Sequence, residues 1–269
     1  MTADPTWRGI ALDAATALAL LDWQREMGVD EPIADAPLDR YAEATPAPRA
    51  PVAPVAPAPA AAAAPVAPQD GADLPAIAAA LAARAASLPD LAAAMERFDG
   101  LDIRKGARSF VFADGNPAAR VMIVGDPPDE DEDRAGRPFA GRAGAMLDRM
   151  LAAVGLARDA VDAERSVYLT TALPWRTPGG RLPTEPETLA MRPFLERHVE
   201  LAAPDLLVVM GNVACQSVLG RSGVLRMRGT WAAAFGRPVM PMAHPCYLLG
   251  NAAAKRDAWA DLLEIAARL

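Results

Sequence analysis

The sequence predicts an α/β fold, a mostly parallel sheet with helices on both faces. Three observations lead there. Continuous apolar runs such as ARVMIVGD, DLLVVMG and PVMPMAH read as strands buried on both sides. Helical stretches separate them, which is the pattern of βαβ units. Glycine and proline cluster at the strand ends, where sheets of this kind bind ligands.

Taken in order, residues 1–44 form an acidic segment. Within it ALDAATALALLDWQREMGV sets Leu18, Leu20, Leu21, Trp23 and Met27 at helical spacing. One amphipathic helix is expected there, docked on the main domain or free for a protein partner. Residues 45–71 are almost wholly alanine, proline and valine, a composition that extends as polyproline II and cannot fill a core, so they read as a flexible tether. Residues 72–269 then form the folded domain. Its expected elements begin with one helix over roughly Leu74 to Phe98, a possible strand at SFVFAD and the strand ARVMIVGD. Helix AGAMLDRMLAAVGL, strand SVYLTTALPW, helix PETLAMRPFLERHVELA and strand DLLVVMG follow. Helix NVACQSVLG, strand PVMPMAH and a closing helix AAAKRDAWADLLEIAARL complete it.

Composition bounds the function. No apolar run approaches the 18 or so residues of a membrane span and no signal-peptide pattern opens the chain, so a cytoplasmic protein is expected, with an alanine bias like that of a high-GC bacterium. Cys215 and Cys246 are the only cysteines, too few for a disulfide framework or a thiolate cage. The net charge of −7 is concentrated in residues 1–71, which carry ten acids against four bases. Of the chain's 34 acids and 27 bases, 24 and 23 therefore fall in residues 72–269, and near-neutrality there removes the charge argument against a DNA partner.

Three strand-end segments could carry chemistry. In GDPPDEDEDRAGRPFAGRAG, the residues Gly125, Pro127, Pro128, Gly136, Pro138, Gly141 and Gly144 describe a tight loop feeding a helix that begins near Ala143. Such a start suits an anion, and an ordinary strand-to-helix connection with Phe139 in the core accounts for the same residues. Arg176 and Arg181 flank a proline-glycine turn beside Trp175, a set that fits a nucleic-acid strand or a plain surface loop. His244 stands between a strand and Pro245, placed either to donate a hydrogen bond to developing charge or to cap a helix. His198, among Glu196, Arg197 and Glu200, reads as part of a solvated helix face.

Together the segments resemble a known family. G-x-x-P, then E-D-x-x-G-R-P-F-x-G-x-A-G-x-x-L, then W-R-x-P-x-x-R-x-P-T, then H-P-x-Y-L-L with a later K-x-x-x-W, occur in the order found in the family 4 uracil-DNA glycosylases. The resemblance runs from about Leu88 to Leu269. It includes VFADGNPAARVMIVG and the RGTW stretch at Arg228 to Trp231. It implies a three-layer α/β/α sandwich, a uracil-DNA glycosylase-like fold that binds DNA with one base flipped out, working as a monomer.

The resemblance also assigns residues. Gly125, Asp126, Pro127, Pro128 and Asp129 match the family's Gly-Glu-Ala-Pro-Gly loop, which holds the deoxyribose and the attacking water, with Asp126 as its carboxylate. Pro127 removes a backbone N–H there, and Asp129 replaces a glycine of unusual backbone angle. Phe139 falls on the aromatic that stacks on the flipped base. Thr171 falls on the asparagine that reads uracil, and one hydroxyl cannot reproduce a two-point amide contact. His244 falls on the histidine that stabilises the departing base. Leu248 and Leu249 fall in the leucine region that approaches the duplex, and Gly250 stands where an arginine commonly follows, leaving Lys255 and Arg256 downstream. Asp126 and His244 are thus the expected catalytic pair, and Arg176, Arg181, Leu248, Leu249 and Lys255 the expected DNA contacts. Many members hold a four-iron four-sulfur cluster. The best-matching positions, Phe98, Leu101, Trp175 and Met191, carry no thiol, so no metal and no cluster is expected.

Two functions follow from the resemblance. One is a DNA glycosylase that hydrolyses the N-glycosidic bond of uracil or a related damaged base. The other is a catalytically weakened relative that binds DNA or abasic sites. An unrelated nucleotide-binding α/β module is the third reading, with neither a Walker loop nor a dinucleotide fingerprint in the chain.

Overall fold

A computed structural model describes residues 73–269 and, in the N-terminal region, the antiparallel pairing of Thr6–Trp7 with Ile10–Ala11. The helix expected around Leu18 to Met27 lies outside the described residues.

The folded unit opens on two helices, α1 (Leu74–Arg84) and α2 (Leu88–Arg97), where the sequence suggested one. Ser87 breaks the run: it turns extended, its hydroxyl accepts the Asp90 N–H, and Pro89 follows in the first turn of α2. Strand β1 is only Ala113–Gly115, later than the SFVFAD run suggested. The preceding residues leave the ladder, with the Val111 N–H donating to the carbonyl of Pro174. Strand β2 (Val121–Gly125) leads to a six-residue helix α3 (Glu130–Ala135), then to α4 (Gly141–Ala152) and β3 (Val167–Thr171). Helix α5 (Glu185–Ala202), strand β4 (Leu206–Met210), helix α6 (Asn212–Leu219) and a single turn α7 (Val224–Met227) come next. The chain closes with β5 (Ala232–Ala234), β6 (Arg237–Met242), α8 (Pro245–Gly250) and α9 (Ala254–Ala266).

These strands form one sheet in the order β1-β3-β2-β4-β6-β5, its four central strands parallel and its two edges antiparallel. Side chains alternate between its faces. Met122, Val124, Tyr168, Leu207, Val209 and Val239 meet residues of α1, α2, α5 and α6 on one side. Val121, Ile123, Leu169, Val208, Met240 and Met242 meet α4 and α9 on the other. Each such side chain taken fully from water contributes roughly 1.5–3 kcal/mol, which explains why all five residues of β2, β3 and β4 are buried. The expected three-layer α/β/α sandwich is present. The edge strand β5 escaped the sequence reading because three exposed or half-buried alanines carry no alternation.

His198 corrects the sequence reading. It is buried, its Nε2 lies 2.9 Å from the Tyr168 hydroxyl, and its ring stacks on Phe112 at 4.5 Å. Desolvation lowers its pKa from 6.5 to about 3, so the unfolded chain takes a proton that the folded chain refuses over that window. Stability contributed by neutral His198 is therefore complete above pH 6.5 and falls as the pH drops towards 3, by up to about 1.4 kcal/mol per pH unit. Thermal melts between pH 7 and pH 4.5 are expected to fall more steeply for the wild type than for His198→Gln. Parallel slopes would assign the acid sensitivity elsewhere.

Candidate active site

The parallel register brings the strand ends into one row. Gly125 of β2 lies opposite Thr171 of β3 on one side and Met210 of β4 on the other, and Met210 lies opposite Met242 of β6. The residues just beyond, Asp126, Gly211 and His244, therefore gather at the carboxyl edge of the sheet, where the helices beginning there point their free N–H groups.

The acid run is largely structural. Asp129 caps α3 in a reciprocal box with Glu132: the Glu132 N–H donates to Asp129 and the Asp129 N–H to Glu132, at 2.9 and 2.8 Å. Its backbone is extended (φ −82°), so the expected unusual angle at this position does not arise. Glu130 and Asp131 pair with Arg134 on the helix surface. Asp133 accepts the N–H groups of Arg108 and Ser109, anchoring the segment that leads to β1. Glu132 reaches further and accepts the N–H of Phe139. Burial pushes its carboxyl up to about 7, against the backbone N–H groups that favour the charged form.

That contact fixes the aromatic. Phe139 is 2% exposed, holds a left-handed backbone (φ +50°), and stacks on the His244 ring with centroids 5.5 Å apart. Gly125 lies against its ring: a Cβ there would sit 2.6 Å from Phe139 Cζ. Arg158 completes the support, its Nη2 donating to the Phe139 carbonyl at 3.1 Å and its Nη1 to that of Pro138 at 3.3 Å. Sequence reasoning missed Arg158, because nothing local marks an arginine whose partners lie in three other segments. It also placed the following helix two residues late: α4 begins at Gly141.

His244 caps α8, its Nδ1 accepting the Cys246 N–H at 3.3 Å. In a neutral ring the proton then resides on Nε2, which becomes a donor. Burial lowers its pKa, opposed by the carboxylates of Asp126 and Asp129, so the imidazole is neutral at pH 7. Asp126 turns toward α6, accepting the Ala214 N–H at 2.9 Å over the open backbone of Gly211 (φ +107°), where a Cβ would meet the carboxylate. Burial raises its pKa, opposed by these helix-end amides and by His244. Thr171 is buried and its hydroxyl donates to the Leu173 carbonyl at 2.8 Å, which leaves only a lone pair for a ligand.

A cleft of about 240 Å³ opens beside Asp126, lined also by Pro127, Pro128, Arg176 and Arg181. Of the two arginines, Arg181 is held by a double ion pair to Glu187 at 2.6 and 2.8 Å, so Arg176 is the freer cation. The Trp175 ring, next to Arg176 in the chain, is buried against Phe110 and is not exposed for a ligand. Leu248 is 0% exposed and belongs to the core, so Leu249, 40% exposed, and Tyr247 are the large apolar side chains that α8 presents outward. Lys255 and Arg256 are exposed on α9.

A planar ring stacked on an aromatic, a neutral donor imidazole and a nearby carboxylate suit the departure of a heterocycle as an anion. These groups lie in the stretch, residues 112–263, that matches the family model described as the Uracil DNA glycosylase superfamily, and the chain belongs to that superfamily. Proteins similar to this chain include several named type-4 uracil-DNA glycosylase. That of Thermotoga maritima is 35% identical over 146 residues, 52% of this chain and 72% of that protein. That of Archaeoglobus fulgidus is 35% identical over 132 residues, 49% and 63% of the two chains. That of Sulfurisphaera tokodaii is 35% identical over 114 residues, 42% and 49% of the two chains. The matched regions thus span from about half to under three quarters of those relatives.

The residues at the cluster positions do not fit an iron-sulfur cluster. Phe98, Leu101, Trp175 and Met191 are buried in one apolar core, where none offers a thiolate. Cys215, buried in the same core, has its thiol pushed up to about 12 and stays protonated at neutral pH. Among the described residues, no group of three or more His, Cys, Asp or Glu is placed to hold a metal ion, and no helix is long and apolar enough to cross a membrane.

Proposed function

We propose that this chain excises uracil, or a closely related damaged base, from DNA by hydrolysing its N-glycosidic bond. The observation that carries the reading is the stacking of Phe139 on the His244 ring, whose Nδ1 accepts the Cys246 N–H, at the carboxyl edge of the sheet. The extruded base stacks on Phe139, a contact worth about 1–3 kcal/mol, and Thr171 accepts one hydrogen bond from its edge. As the C1′–N1 bond breaks, its electron pair passes into the ring, and His244 Nε2–H donates to the carbonyl oxygen where that charge gathers. Water adds to C1′, its proton passing to Asp126, whose negative charge also steadies the cationic sugar. The products are the free base and an abasic strand. Arg176, Lys255 and Arg256 supply phosphate contacts, and Leu249 with Tyr247 faces the gap left by the base. Residues 45–71 tether an N-terminal segment for a protein partner, leaving the monomeric domain 72–269 to act on DNA.

A specific observation favours the second reading, a DNA- or abasic-site-binding relative with weakened catalysis. Asp126 is engaged by the N-terminus of α6, and Phe139 and His244 at 5.5 Å leave no room for a third ring, since a sandwich needs about 7 Å. Excision then requires the two rings to part. Incubation with single- and double-stranded oligonucleotides carrying one uracil, followed by alkali, separates the readings. Strand breaks at the uracil are the expected result; intact strands at enzyme excess, with binding retained, would leave the binding reading.

A further inference from the structure

We infer that Arg158 is a positioning residue for base excision, acting through Phe139; this rests on the function proposed above. Phe139 has a left-handed backbone that residues with a Cβ rarely adopt, so its surroundings must hold it there. On its amide side the N–H is taken by Glu132. On its carbonyl side Arg158 takes both Pro138 and Phe139 oxygens.

Arg158 can do this because it is itself held at both ends. Its Nη1 donates to Asp114 of β1 at 2.9 Å and its Nε to Asp148 of α4 at 2.8 Å. One guanidinium therefore ties the sheet edge, the loop and the helix after the loop, with only 11% of its side chain exposed. A planar fork with five donors can serve these partners at once, whereas an ammonium cannot match the geometry. The space for the loop is equally restricted: a Cβ on Gly144 would collide with the Phe139 carbonyl, so that oxygen has its place between Gly144 and Arg158. Without the fork, the carbonyl pair loses its donors, the peptide at Phe139 is free to turn, and the ring leaves the plane that meets the base. The acceptors are 10 to 44 residues distant in sequence, and Arg158 reaches the site through the backbone of Pro138 and Phe139, not through the Phe139 ring.

The test compares wild type, Arg158→Met and Arg158→Lys in single-turnover excision of uracil, in inhibition by free uracil, and in affinity for an oligonucleotide carrying a tetrahydrofuran abasic analogue. Arg158→Met is expected to excise about tenfold more slowly and to lose inhibition by uracil, with abasic-strand affinity unchanged; Arg158→Lys falls between. A wild-type rate in Arg158→Met, or a rate loss matched by an equal loss of abasic-strand affinity, overturns the assignment. Should Arg158→Met fail to fold, Asp148→Asn decides, since it loosens one anchor on an exposed part of α4: slower excision at constant affinity supports the role, an unchanged rate overturns it. If the wild type releases no uracil, the functional reading fails on its own. The preference for a uracil-containing over a thymine-containing strand, read by anisotropy, then decides for Arg158: its loss in Arg158→Met supports the role, and no difference between the proteins overturns it.

Discussion

His244→Ala is expected to lower the single-turnover rate of uracil excision by about 10²–10³-fold, the usual effect of removing one donor aimed at developing negative charge. The helix cap sets the tautomer. Because Nδ1 accepts the Cys246 N–H, the ring's proton is fixed on Nε2 before any base arrives, and burial keeps the ring neutral at pH 7. Once the rings have parted to admit the base, a donor already neutral and protonated on Nε2 needs no change of protonation as the bond breaks. The cap itself contributes only about 0.5–2 kcal/mol, so the variant folds and its affinity for an abasic strand stays near that of the wild type. The pH profile adds a second check. Protonation of His244 belongs below 6.5, so the wild-type rate should show no loss assigned to His244 as pH rises from 7 to 9. Such a loss, absent in the variant, would identify an imidazolium donor instead, and an unchanged rate in His244→Ala would remove the residue from the chemistry.

How much of this was legible in the sequence depends on the range of the contacts concerned. The central strands were, because β2, β3 and β4 are covered on both faces and must be apolar throughout. Helix boundaries set by local caps were readable in principle: Asp129 followed three residues later by Glu132 is a capping box, hidden in a run of five consecutive acids, Asp129 to Asp133. His198 misled for a similar reason. Its neighbours Glu196, Arg197 and Glu200 are polar, yet at 3.6 residues per turn it lies on the stripe of Met191, Phe194 and Leu195, which is buried. Leu248 and Leu249 are adjacent in sequence and about 100° apart on α8, so only one can enter the core, and sequence does not say which. The turning of Asp126 toward α6 and the clamp of Arg158 arise from partners 88 and 44 residues away. No local pattern encodes them.

Thr171→Asn is expected to raise the rate of uracil excision by about 10- to 100-fold, equivalent to about 1.4–2.8 kcal/mol of added transition-state binding. Thr171 ends β3 directly opposite Gly125, one residue before the carboxylate of Asp126, so its side chain stands at the level of the stacking ring that Gly125 accommodates. Its one proton is committed to the Leu173 carbonyl. What a base meets is a lone pair, able to accept from the N3–H of uracil and unable to donate to its O4. An amide offers both, and a site that pairs both polar atoms of its ligand discriminates far better than one that leaves an atom unpaired. The same substitution removes the hydroxyl's bond to Leu173, which costs about 1 kcal/mol of stability. Rate and melting temperature are therefore expected to move in opposite directions, a combination that general tightening or loosening of the fold does not produce. A folded Thr171→Asn protein whose uracil rate stays at the wild-type level would show that this position does not read the base, and that selection rests on Phe139 and His244 alone.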